Sequence, residues 1–181
     1  MRRVAVFGGS QTVAGQPVYE TARRLGRALA EAGFEIVTGG YGGVMEAASR
    51  GARDAGGSAL GVTCEIFSAR NPNEYLSATR LTKDLHERTR DLIELSQAYV
   101  VLPGKTGTLA ELAFLWALDR AGSLGGKPVL LIGDPWEPLL RHLARWEMLD
   151  DAQRERTTLV ARVEDAVPAL LAALETAGAK E

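Results

Sequence analysis

The chain carries few of the residues from which cross-links, metal centres and membrane anchors are made, and each shortage removes a class of function. A single cysteine, Cys64, cannot close an internal disulfide, which fits a reducing compartment; it reads as a small residue at a strand end. Histidine occurs twice, and His86 has no partner at metal or triad spacing, so it is expected to be structural or peripheral, and no metal site is expected. No apolar run approaches the roughly 20 residues of a membrane span. The apolar stretch 4–7 behind Arg2 and Arg3 is too short for a signal-peptide core. Excess positive charge is missing too: 21 Lys and Arg against 23 Asp and Glu give a net charge of -2, which argues against a broad basic face for nucleic acid but leaves room for a small anion. No Ser/Pro-rich linker or shift in composition divides the 181 residues. A single domain over 1–181, soluble, unprocessed and cytoplasmic, is expected.

What is present is a regular alternation. Short, almost uninterrupted apolar runs at 4–7, 35–38, 59–63, 99–102 and 129–132 read as strands buried on both faces. Helical patterns fill the intervals at 18–32, 44–55, 85–95, 109–121, 136–146 and 163–174. The simplest architecture is a Rossmann-like, doubly wound α/β fold: one parallel sheet with helices on both faces. The first helix pattern places Tyr19, Ala22, Leu25, Leu29 and Ala32 on one stripe and Arg23, Arg24, Arg27 and Glu31 elsewhere, as expected of a helix with one face on the sheet and one in water. The pattern after residue 109 has almost no polar face. One side of such a helix can pack on the sheet, and a twofold homodimer is the commonest way to cover the other. Residues 65–81, with Asn71, Pro72 and Asn73, form the longest irregular stretch and are a candidate border for a ligand.

The run AYVVLPGKTGTLAE over residues 98–111 joins an apolar strand, a glycine-containing turn and a helix start. That combination makes an anion cradle. Gly104 and Gly107 permit close backbone approach, the first helical turn leaves N–H donors unpaired, and the helix dipole favours negative charge there. Thr106 and Thr108 add hydroxyls, and Glu111 lies about one turn beyond Thr108, able to lean back to the rim. A carboxylate beside an anion site is electrostatically awkward unless it acts on a cationic or hydroxylic part of the bound molecule. Two further glycine turns, Gly8-Gly9-Ser10 and GGYGGVMEAA over 39–48 with Gly39, Gly40, Gly42, Gly43 and Glu46, follow the first and second strand runs. In a parallel sheet all strand carboxyl ends share one edge, so the three turns converge on one crevice of a size for a nucleotide. One such turn alone says little, because tight βα turns use glycine anyway. Glu46 suits ribose hydroxyls or simply its helix dipole. Lys105 suits an anion contact or a solvated turn equally.

Two familiar motifs fail. The first strand is followed by GGSQTVAG, not G-x-G-x-x-G, so a dinucleotide is not indicated; Gly104-Lys105-Thr106 spells the end of a P-loop, but the first glycine of that motif would fall on Tyr99.

The residues PGKTGTLAE are similar to the PGGxGTxxE motif of the LOG-type proteins, the cytokinin riboside 5'-monophosphate phosphoribohydrolases. VAVFGGS, GGYGGVMEAASRGARDAGG, HERTRDLIELSQAYVVLPG and the closing strand and helix follow in the family's order over nearly the whole chain. The resemblance implies a Rossmann-like dimer that hydrolyses the N-glycosidic bond of a nucleoside 5'-monophosphate without a cofactor, AMP or an N6-modified AMP being the plainest substrate. It places the catalytic pair on Glu111 and Arg88 and the phosphate cradle on Gly104, Gly107 and Thr108. Lys105 stands where the motif has its second glycine, and Thr89 where the HERK segment has lysine. Some relatives only bind nucleotides or carry molybdenum cofactor, which gives the alternative: a binding protein without hydrolysis. A lysine decarboxylase label, common in the family, is rejected, because Lys83, Lys105, Lys127 and Lys180 offer no recognisable pyridoxal phosphate anchor. The pair makes chemical sense, since a carboxylate can stabilise an oxocarbenium-like transition state or activate water, and a guanidinium can grip a phosphate or orient the carboxylate. The neighbours Glu87, Arg90 and Asp91 are expected on a solvated helix face.

Overall fold

In a computed structural model describing residues 2–178, seven parallel strands form one sheet in the order β4-β3-β2-β1-β5-β6-β7. The strands are β1 (Arg2–Phe7), β2 (Phe34–Thr38), β3 (Ala59–Cys64), β4 (Ala78–Thr82), β5 (Ala98–Val101), β6 (Val129–Ile132) and β7 (Thr157–Val160). Between and after them run α1 (Pro17–Glu31), α2 (Val44–Asp54), α3 (Leu85–Glu94), α4 (Thr106–Arg120), α5 (Trp136–Arg145), α6 (Asp151–Arg156) and α7 (Ala166–Gly178).

Alternation along β1 explains the two cores. Val4 and Val6 join Leu25 and Leu29 of α1, residues of α2, and Leu170 of α7 on one face. On the other face Ala5 and Phe7 join Leu92 of α3, Leu112 and Leu115 of α4, and Leu140 of α5. A strand buried on both sides needs apolar residues at every position, which is why these runs show no period-two pattern. The sheet grows outwards from β1 to β4 and then, through α3, returns to β5 on the other flank of β1, with Phe7 opposite Val101. Strand order reverses at that pair, so a crevice opens at the carboxyl ends of β1 and β5.

Four expectations need correction. Residues 65–81 are not irregular throughout: a 3-10 turn covers Glu65–Phe67 and the edge strand β4 covers Ala78–Thr82. With Ala78, Thr79, Arg80 and Leu81 all exposed, β4 has no apolar run to announce it. β7 was not anticipated either, nor the short α6 before it, whose start is fixed by an Asp150–Gln153 capping box. The cradle helix begins at Thr106 rather than 109, so Gly107 and Thr108 lie inside its first turn. The last helix begins only at Ala166, behind a 3-10 turn over Val163–Asp165. Cys64 does end a strand and is buried. No helix among the described residues is long and apolar enough to cross a membrane.

Candidate active site

The three glycine turns meet as the topology requires. Gly9 N donates to Pro103 O at 3.1 Å, tying the β1 turn to the β5 turn, and Val44 N donates to Gly9 O at 2.9 Å, tying the β2 turn to both. A cavity of about 470 Å³ opens beside them. Of the anticipated residues, Gly8, Ser10, Gly39, Arg88, Gly104, Lys105, Gly107, Thr108 and Glu111 line it. Thr106 is exposed at the start of α4, outside the lining; Gly40, Gly42 and Gly43 shape the β2 turn from behind. Glu46 is also outside: its Oε1 accepts a 2.7 Å hydrogen bond from the Tyr19 hydroxyl, and the pair braces α1 against α2.

Two glycines are dictated by contact. A Cβ on Gly39 would lie 1.6 Å from an Arg88 guanidinium nitrogen, and one on Gly104 would lie 2.2 Å from the Thr108 hydroxyl and 2.9 Å from Gly9 N. Side chains at those positions would fill the space in which the arginine and the helix terminus now sit. Lys105 answers differently to its neighbours than a glycine could: its ammonium donates to Gln11 Oε1, bridging the cradle to the loop after β1 at the cavity mouth.

Arg88 is held from several sides. Asp84 caps α3 by accepting from His86 N and Glu87 N, both at 2.8 Å, which fixes the first turn and directs Arg88 inward, where it is 8% exposed. Its Nε donates to Val62 O at 2.9 Å, and its guanidinium lies 5.9 Å from the Tyr41 ring centre. A terminal nitrogen is 3.8 Å from Glu111 Oε1, a charge contact too long for a hydrogen bond. Asp91, expected in water, is 2% exposed and lies 2.7 Å from Arg80 Nε on β4, pinning α3 to the sheet edge. His86 is on the surface.

Glu111 is the electrostatic outlier. Burial among the sheet and α4 pushes its carboxyl from an ordinary 4.5 up to about 7, against the opposing pull of Arg88. A carboxyl poised there exchanges protons near neutrality, as general acid–base chemistry requires.

Three cavity residues were beyond the reach of motif reading. Tyr41 is buried, with its hydroxyl donating to Cys64 O and accepting from Cys64 N. Phe67 packs edge-on against it at 5.7 Å, and the Arg70 guanidinium carbon stands 5.0 Å over the Phe67 ring. The irregular segment therefore does border the cavity, and its only sequence signal was its length.

The arrangement can be set beside known proteins. The SLOG cluster4 family profile matches residues 1–166. The chain belongs to the SLOG cluster4 family. This family member is LOG-type: the cytokinin riboside 5'-monophosphate phosphoribohydrolase of Rhodococcoides fascians is 30% identical over 177 residues, covering 93% of this chain and 89% of that protein. A rice protein named as the probable phosphoribohydrolase LOG4 is 34% identical over 137 residues, and there the match spans 73% of this chain but only 58% of the relative. Among solved structures, the structural-genomics protein TM1055 is 31% identical with a TM-score of 0.75, covering 94% of this chain and 98% of its own. The molybdenum cofactor carrier protein of Chlamydomonas reinhardtii also superposes with a TM-score of 0.75, at 26% identity and with 96% and 98% coverage.

Proposed function

We propose that this SLOG member hydrolyses the N-glycosidic bond of a purine nucleoside 5'-monophosphate, releasing the free base and ribose 5-phosphate. The observation that carries the reading is Glu111: a nearly buried carboxyl with its pKa near 7, facing Arg88, on the helix whose N-terminus forms the anion cradle. The 5'-phosphate sits on the backbone donors at Gly104–Thr108, with the Thr108 hydroxyl beside it and the Lys105 charge at the mouth. Glu111 then faces the ribose. As the bond from C1' to the base nitrogen breaks, its electron pair leaves with the base and positive charge grows on C1' and the ring oxygen. The Glu111 carboxylate stabilises that charge and takes a proton from the water whose oxygen bonds to C1', the departing base nitrogen takes up a proton from solvent, and Glu111 returns its own proton to solvent. Arg88 holds the carboxylate's place and limits its freedom. No organic cofactor or metal takes part in this scheme.

The activity for which the relatives are named supports the reaction class, and AMP and its N6-isopentenyl analogue are the first substrates to test. Pure protein incubated with each, followed by chromatography of free base, should release base from at least one purine nucleotide and none in a Glu111→Gln variant. Binding of nucleotide with no base released would favour the second reading, a carrier or sensor; the likeness to the Chlamydomonas carrier is the observation behind that reading.

The proposal extends to a twofold dimer. The outward face of α4 exposes Leu109 and Phe114 at 41% and 45%, beside Ala110, Ala113 and Ala117, and a second copy of that face would cover it.

A further inference from the structure

The cavity is positive in a chain that is negative. Of its charged lining residues Arg70, Arg88 and Lys105 are cations and Glu111 alone is an acid, whereas the whole chain carries a net charge of -2. Burial pushes the Glu111 carboxyl up to about 7, so near neutrality much of even that one negative charge is absent. A concave surface of one sign draws in ligands of the other. Among the three cations, Lys105 is the one carried by the cradle turn itself, and it makes no ion pair among the described residues. Its ammonium donates instead to the side-chain oxygen of Gln11, a neutral acceptor. The Gln11 loop is fastened to the cradle turn by the 3.1 Å bond from Gly9 N to Pro103 O. An amide oxygen so placed holds the ammonium without cancelling its charge, where a carboxylate would do both.

Resting on the nucleotide reading above, we propose that Lys105 is the residue through which the site demands a 5'-phosphate. Kept at the cavity mouth by Gln11, its ammonium binds the phosphate dianion and so separates nucleoside 5'-monophosphates from unphosphorylated nucleosides. The backbone donors of Gly104–Thr108 carry only partial charges at a helix end, and such donors serve a neutral hydroxyl as well as an anion. A full positive charge with three N–H donors adds an attraction that a neutral hydroxyl does not share. Glycine, which the PGGxGTxxE motif has at this position, would leave the cradle with backbone donors alone. The turn itself does not require that glycine: Lys105 has φ -96° and ψ -160°, extended backbone open to any residue. When phosphate arrives, the ammonium exchanges an amide oxygen for an anionic one, the stronger partner, and Gln11, being exposed, turns its oxygen to water.

The test uses Lys105→Gln, Lys105→Arg and Gln11→Glu, all at exposed positions. The ligands are whichever of AMP and its N6-isopentenyl analogue binds better, and the nucleoside that matches it. Base release is measured at fixed ionic strength, and binding is measured by calorimetry in the Glu111→Gln protein, with and without each replacement. Lys105→Gln should raise the KM for the nucleotide and weaken its binding about 10-fold or more, with nucleoside binding unmoved, and Lys105→Arg should restore most of the loss. Gln11→Glu gives the ammonium an anion of its own and should cost as much as Lys105→Gln. Nucleotide hydrolysis with an unchanged KM in Lys105→Gln, equal losses for nucleotide and nucleoside, or a Gln11→Glu protein that binds nucleotide like its parent overturns the role of Lys105 and leaves the hydrolase reading standing. Lys105-dependent nucleotide binding without any base release upholds the phosphate anchor and overturns the hydrolase. If neither nucleotide binds, both fall.

Discussion

Replacing Glu111 with glutamine should make the protein more stable while removing its activity, and the size of the gain should depend on pH in a defined way. In the folded chain the carboxyl has a pKa near 7 against an ordinary 4.5. Between those values the native state keeps a proton that the unfolded chain releases, so stability falls as pH rises through the window and stays low above it. At about 1.4 kcal/mol per pH unit of displacement the full cost is about 3 kcal/mol. That figure is an upper bound, because the side chain is 16% exposed and water reaches part of it. Glutamine has nearly the same volume and no charge to desolvate, but it leaves Arg88 without an anionic neighbour. The expected net gain is about 1–3 kcal/mol above pH 7.5, shrinking to nothing below pH 4.5. For a chain of this length that corresponds to a rise in Tm of about 3–10 °C at the alkaline end. Calorimetric unfolding of both proteins from pH 4.5 to 8.5 reads it directly. A variant no more stable than the parent at pH 8, or a Tm difference that does not grow with pH, would refute the claim that Glu111 is a desolvated carboxyl.

Three further outcomes follow from the same geometry. The kcat/KM of base release should climb with pH through a limb near 7, reporting Glu111 in its carboxylate form, and a flat profile between pH 6 and 8 would remove it as the titrating group. Gly39→Ala should evict the Arg88 guanidinium, breaking its 2.9 Å bond to Val62 O; urea unfolding should show a loss of about 1–3 kcal/mol, and activity should fall at least as far as in Arg88→Ala. Phe114→Glu on the outward face of α4 should halve the mass measured by light scattering at micromolar concentration, and a parent protein that is already monomeric would rule out the dimer.

Much of this protein is determined locally, and that part is visible in the chain. Strands such as Val129–Ile132 are short continuous apolar runs because helices cover both faces of the sheet. The glycine turns mark the shared carboxyl edge because close backbone approach leaves no alternative residue at Gly39 or Gly104. Glu111 and Arg88 were legible through the motifs that carry the family resemblance. Where local signal was weak, sequence reading ended: β4 sits at the sheet edge with exposed side chains, so no hydrophobic pattern marks it. Charged residues were equally opaque, since Asp91 looks like its solvated neighbours until Arg80, on a strand brought alongside by the sheet, closes over it. Only the tertiary structure decided how far Glu111 is desolvated, that Glu46 braces α1 rather than lining the cavity, and that Phe67 and Arg70 do line it. Burial and dielectric depend on residues far apart in the chain meeting at one place, and spacing along a chain does not encode that.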